Sequence, residues 1–200
     1  MLSRTYVLMF VLILPFLAKA ETVILEADGK EGPLMEGLNF HHEKWTFENG
    51  AMVGEQTKEK SHLATIRGKC DFNEIRLSWK MKFLSEKKKF LFVTWAKGSR
   101  GHAMDFSLNP LTGEFRIIRP ADRKNKIKGA LLSKGKASLK EDGWFDIVME
   151  YTGSKMKLTI NGTLIEGEDP AFAKEMEYFY LNGGYKYMVK DLKLVSLKKD

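Results

Sequence analysis

Four histidines, one cysteine and a scatter of carboxylates carry most of the chemical options in this 200-residue chain. His102 stands in the stretch "RGHAMDFSLNP", with Asp105 three residues on and an alternating run ending at Pro110. It reads either as a reactive imidazole or as the start of a strand. His41 and His42 are adjacent, so on a strand they point to opposite faces and do not easily share one ion. His62 and His102 each precede a short strand-like run. They form one site only if those strands are neighbours; otherwise they are two independent histidines at strand ends. No dense Asp/Asn/Gly loop of the calcium-binding kind is visible. No metal ligand is assigned, no cofactor is required, and a divalent metal remains an option. Cys70 stands alone, so no intrachain disulfide can form. With no neighbour that would lower a thiol pKa, it reads as a small buried residue and not as a nucleophile.

The elements that position these residues are strands. In "FNEIRLSWKMKF", Ile75, Leu77, Trp79, Met81 and Phe83 fall on one side, and Glu74, Arg76, Ser78, Lys80 and Lys82 on the other. That is the pattern of an antiparallel strand with one face covered and one wet. Similar runs begin at Thr22, Trp45, His62, Lys89, His102, Gly113, Trp144, Lys155, Glu177 and Met188, giving about eleven short strands, while period 3.6 is nearly absent. Turn chemistry agrees. "ENGA" from Glu48, "NPLTGE" from Asn109, "YTGSK" from Tyr151 and "INGT" from Ile160 place Gly or Asn-Gly where hairpins need positive φ. "NGT" at Asn161–Thr163 also matches a glycosylation acceptor, and the hairpin reading is preferred. "SEKKKF", Ser85 to Phe90, reads as a solvated hairpin turn. In "DPAFAKEME" Asp169 can cap and Pro170 suits the first position of a helical turn or two. Pro120–Gly143 is basic and reads as a solvated connection, a lid or a sulfate-reading loop. Many short strands joined by tight turns mean a two-sheet sandwich or a barrel.

The N-terminal 20 residues have the form of an export signal: Arg4, an apolar run from Tyr6 to Leu17, then Ala18-Lys19-Ala20 as a small-x-small cleavage site. The run is short for a bilayer span. Cleavage near Ala20 leaves residues 21–200 as one domain, secreted or periplasmic, with no stable membrane insertion. A single cysteine in an exported chain suits a bacterial source. Net charge is +7, of which Arg4 and Lys19 supply two. The remainder is dispersed among 26 acidic residues, so no concentrated phosphate-binding stripe forms and nucleic acid is not expected as a partner.

The order of landmarks resembles a known superfamily. "WTFENGAMVGE" is similar to the "W-x-V-x-D/N-G-x-L-x-G" opening of secreted concanavalin A-like sandwich domains, where an indole packs beneath a hairpin. "CDFNEIRLSWKMKF" is similar to "Y-G-D-F-E-L-R-L-E-W-R", "GWFDIVMEYTGSKMKLTINGT" to "G-E-W-N-x-V-x-V-x-x-x-G-x-x-I-x-x-x-L-N-G", and "YKYMVKDLKLVSL" to the closing "V-x-F-R-N-I-x-I". The likeness spans nearly all of the chain after Ala20 and points to the lectin/glucanase superfamily, nearest to exported bacterial proteins of the 3-keto-disaccharide hydrolase domain family. It implies an all-β, two-sheet antiparallel β-sandwich of concanavalin A-like jelly-roll form, with sugars lying across a concave face.

Two functions follow as expectations. Family 16 glycoside hydrolases carry E-x-D-x-E on one strand, which aims the carboxylates into the cleft about 5 Å apart; no such pattern occurs here. This favours a non-catalytic carbohydrate-binding module, with Trp95 as sugar platform and Arg76, Ser78, Lys80, Asp105 and Arg116 as polar contacts. Trp45, Trp79 and Trp144 are expected in the core. The alternative is a hydrolase or lyase acting on 3-keto-glycosides. There the ketone acidifies a neighbouring C–H and permits elimination followed by hydration, which needs a general base and a stabiliser for the enolate. His62, His102, Asp105 and Arg116 are the candidates for those roles. A purely structural envelope protein is the third possibility.

Overall fold

Period-two burial is what the chain achieves in three dimensions. The computed structural model describes residues 22–27, 38–41, 44–56, 64–70, 74–85, 90–96, 102–122, 125–173 and 175–198, with the backbone alone at 24, 25, 41 and 90–96. Its strands are β1 (Thr22–Ala27), β2 (Leu38–His41), β3 (Lys44–Glu48), β4 (Ala51–Glu55), β5 (Thr65–Lys69), β6 (Glu74–Phe83), β7 (Phe90–Ala96) and β8 (His102–Leu108). They continue with β9 (Glu114–Arg119), β10 (Ala130–Lys136), β11 (Trp144–Thr152), β12 (Lys155–Ile160), β13 (Thr163–Glu168), β14 (Met176–Asn182) and β15 (Lys186–Ser196). Among the described residues one short 3-10 turn, Pro170–Ala173, interrupts them.

The strands make two sheets. The first runs β13-β12-β11-β6-β15-β4-β3, with β1 also paired to β15; the second runs β10-β9-β8-β7-β14-β5-β2. All of these pairings are antiparallel. Each sheet has an apolar inner face, because alternation sends every second side chain the same way. On β6, Ile75, Leu77, Trp79 and Met81 are buried; on β11, Phe145, Ile147, Met149 and Tyr151 are. β8 and β9 answer from the other sheet with Met104, Phe106, Leu108, Phe115 and Ile117. Trp79 meets Phe106 across the interface with ring centroids 6.0 Å apart. Each large side chain taken fully out of water contributes roughly 1.5–3 kcal/mol before entropy is charged against it. A polar tie crosses the same core. The Tyr187 hydroxyl on β15 donates to Ala64 O at 2.7 Å, next to β5, and lies 3.3 Å from Leu181 O on β14.

Turns and close approaches follow the sequence. Asn49 and Gly50 both have positive φ, 51° and 72°, as the two-residue β3–β4 hairpin demands, and Asn161 and Gly162 repeat this between β12 and β13. Asn161 is further fixed by its side chain, which accepts from Asp146 N at 2.8 Å and donates to Ser138 O at 2.7 Å. Trp45 lies with Phe40 and Tyr187 around it, at centroid distances of 4.9 and 5.8 Å. Gly68 has no room for a side chain, since a Cβ there would sit 2.1 Å from the Phe179 ring. Among the described residues no helix is long and apolar enough to cross a membrane.

Several expectations change. Trp79 is in the core and Trp45 is half-buried against it, but Trp144 is not a core residue. It starts β11 one position before buried Phe145, so alternation turns it outward, where Lys190 Nζ lies 4.4 Å from its ring centroid. Residues 86–89 of the expected hairpin turn lie outside the described residues, and the strands on either side, β6 and β7, belong to different sheets and are not paired as a hairpin. Pro120–Gly143 is not wholly a loop, since β10 within it pairs with β9. "DPAFAKEME" yields a single 3-10 turn, in which Asp169 Oδ1 accepts from Ala171 N at 2.9 Å.

Candidate functional site

The outward faces of the two sheets differ in chemistry. On the first sheet, cross-strand register sets opposite charges side by side: Arg76 pairs with Glu150, Glu150 with Lys157, and Lys157 with Glu166. The charges meet as ion pairs, Arg76–Glu150 at 2.8 Å, Lys157–Glu166 at 3.3 Å, Lys186–Glu55 at 3.0 Å and Lys80–Asp191 at 3.1 Å. Lys140 and Asp146 add another. The Asp191 hydrogen bond, with its charge behind it, raises the exposed Lys80 ammonium above its ordinary pKa. Such exposed pairs are screened by water and mainly hold charged groups to one another. This is a solvated, internally neutralised surface.

The second sheet's outward face is built differently. Cross-strand partners share a face. One row runs Asn39, Arg67, Tyr180, Val93, Asp105, Ile118; the next runs Thr65, Asn182, Leu91, Ser107, Arg116, Lys134; a third joins Lys69, Tyr178, Trp95 and His102. β14 supplies the aromatic centre because Phe179 and Leu181 are buried while Tyr178, Tyr180 and Asn182 between them are half-buried. The Arg67 guanidinium lies over the Tyr178 ring at 3.6 Å from its centroid and 5.7 Å from that of Tyr180. Arg67 Nε and Asn182 Oδ1 are buried with no hydrogen-bond partner among the described residues. A polar atom so placed costs about 1–3 kcal/mol unless something arrives to satisfy it. At the other side of the face His102 Nδ1 lies 3.1 Å from Asp105 Oδ1, with the Asp105 side chain 15% exposed.

The expected ligand-binding residues therefore separate. Arg76, Ser78 and Lys80 lie on β6 in the first sheet, across the core from Asp105 and Arg116 in the second. They do not form one surface, and Arg76 and Lys80 are engaged in ion pairs. His102, Asp105 and Arg116 do share a face, with Ser107 opposite Arg116. Trp95 is placed by its backbone opposite Tyr178 and His102. His62 and His42 lie outside the described residues, and His41 is placed only by its backbone, opposite Thr65. Among the described residues no three His, Cys, Asp or Glu side chains gather as a metal site. Cys70 is buried. Sequence reading missed Arg67, Tyr178, Tyr180 and Asn182. The signal available was "EYFYLN", in which three consecutive aromatics conceal an alternation.

No family model matches the sequence, and no curated protein matches it. Solved structures do resemble it. A protein of unknown function with galectin-like fold from Bacillus subtilis aligns with TM-score 0.63 and 10% identity over 88% of this chain and 96% of that one. The carbohydrate-binding module CBM66 from Bacillus subtilis aligns with TM-score 0.57 and 8% identity, over 80% and 96%. LamA from Z. galactanivorans, solved with laminaritriose and laminaritetraose, aligns with TM-score 0.65 and 9% identity, over 88% and 99%. What is shared at such identities is the fold, and this chain is a two-sheet antiparallel jelly-roll of the galectin-like, concanavalin A-like kind.

Proposed function

We propose that the protein is an exported carbohydrate-binding module that holds its ligand on the outward face of the second sheet and does not cleave it. The observation that carries this is the Tyr178–Arg67 stack beside Tyr180 and Asn182, on a face where Arg67 Nε and Asn182 Oδ1 lack partners among the described residues while charges on the opposite face meet in ion pairs. Aromatic rings offer a flat apolar body to sugar C–H groups, and the polar side chains around them suit hydroxyls. The carbohydrate ligands of CBM66-like and LamA-like jelly-rolls support the same reading. Export rests on the N-terminal signal pattern with cleavage near Ala20. Binding of this kind calls for no cofactor. The test is glycan binding measured by calorimetry, with chromatography of the incubated ligand. Binding without product, weakened about tenfold or more in Tyr178→Ala and Tyr180→Ala but not in Lys157→Ala on the other sheet, is the expected result. Equal loss in Lys157→Ala, or none in either tyrosine variant, would overturn it.

A second reading has one observation in its favour. The His102–Asp105 contact sets a carboxylate against an imidazole ring nitrogen, an arrangement that orients the ring, and Arg116 lies on the same face. In the 3-keto-disaccharide hydrolase reading, His102 would remove the proton beside the ketone and Arg116 would face the enolate. Incubation with a 3-keto disaccharide, with and without a chelator, separates the two functions. Product that disappears in His102→Ala selects the enzyme, and a chelator-sensitive rate assigns it a divalent metal.

A further inference from the structure

We infer that the saccharide bound on this face is acidic, a uronate, with Arg67 as the receptor for its carboxylate; the inference rests on the carbohydrate reading and narrows it. Four arginines lie among the described residues, and three of them meet a carboxylate: Arg76 at Glu150, 2.8 Å; Arg119 at Asp169, 3.0 Å; Arg116 at Glu114, 3.9 Å. Arg67 meets none among the described residues. It is half-buried on an aromatic platform, and its buried Nε has no acceptor there. A guanidinium is charged, so this position holds a partly desolvated cation that no carboxylate among the described residues meets. Stacking uses only the face of the planar group. The in-plane N–H groups, which match a carboxylate bidentately, have no acceptor among the described residues, which favours a planar carboxylate as the complement.

The surroundings give the ligand a direction. Lys69, two residues along β5, is in register with Tyr178 and adds positive charge at the Arg67 end. Asp105 is three strands away, about 14 Å at the usual spacing, and repels a carboxylate from that end. Asn182, diagonal to Arg67 across β5 and β14, has a buried Oδ1 with no partner among the described residues, an acceptor for a sugar hydroxyl that reaches it. The saccharide is thus expected to lie across β5, β14, β7 and β8, its acidic group at Arg67 and its hydroxyls toward Asp105 and Ser107.

The test is calorimetric titration with tetramers of galacturonate, glucuronate, mannuronate and guluronate, each also as its methyl ester, and with neutral tetrasaccharides. At least one free acid should bind about ten- to hundredfold tighter than its own ester, the range for hydrogen bonds to a charged group. That preference should vanish in Arg67→Ala and Arg67→Gln and be only partly kept in Arg67→Lys, which carries charge without the planar fork. Unchanged circular dichroism verifies folding of each variant, and Lys157→Ala should retain the preference. Ester and acid binding equally, or a preference that survives Arg67→Ala, overturns the acidic ligand while leaving carbohydrate binding intact. No binding of any saccharide, neutral or acidic, overturns both.

Discussion

Tyr151 and Tyr187 share one core and are 1% and 0% exposed, yet their hydroxyls have opposite standing. Tyr187 donates to Ala64 O at 2.7 Å. The Tyr151 hydroxyl has no partner among the described residues. Replacing each by phenylalanine keeps the ring and deletes only the oxygen. At Tyr187 the change leaves a buried carbonyl without that donor and should cost about 1–3 kcal/mol. At Tyr151 it removes a hydroxyl whose unpaired burial itself costs about 1–3 kcal/mol, so stability should hold or rise. The two conservative variants should therefore differ by at least about 1 kcal/mol, with only Tyr187→Phe less stable than the parent. Urea unfolding followed by circular dichroism reads the difference as a shift in midpoint at constant slope. Tyr151→Phe losing as much stability as Tyr187→Phe would refute the reasoning, since it would mean that the Tyr151 oxygen is bonded.

Burial raises both phenols above their ordinary pKa near 10, so the fold retains protons that the unfolded chain surrenders. Their contribution is complete below pH 10 and is lost as pH rises above it, at about 1.4 kcal/mol per pH unit for each phenol that stays protonated in the fold. In an alkaline titration absorbance near 295 nm should show two tyrosines ionising only as the sheet signal collapses; ionisation of every tyrosine near pH 10 with intact circular dichroism would contradict this. Gly68→Ala should lower stability by about 1–3 kcal/mol through collision with buried Phe179, and an unchanged melting temperature would show that the ring can move aside.

Sequence reading went furthest where one physical rule sufficed. Alternation named the inner face of β6 residue by residue, and the Asn-Gly pairs at Asn49 and Asn161 marked hairpins that the structure contains. It stopped where two rules were needed together. Alternation separates inside from outside on a strand, but it does not say to which sheet the strand belongs. Arg76 and Arg116 look equivalent in sequence, both outward on alternating strands, and end on opposite sides of the molecule. Trp144 was misjudged by one register position, since Phe145 beside it takes the inward place. β2 is only four residues long, and β10 carries "LLSKGK" with a register shift between Leu131 and Ser133, so neither has a clean period to detect. Arg67 could be located on "TIRGK", but that no carboxylate among the described residues meets it is a property of neighbours brought together only by folding.

The placement of β15 has a consequence for how the molecule is made. The final strand in chain order lies in the interior of the first sheet, with β6 along one side and β4 and β1 along the other. Until Lys186–Ser196 has emerged, the strands of that sheet form two halves with a gap, and β1 lacks the strand it pairs with. The first sheet is thus held open until β15 has been made.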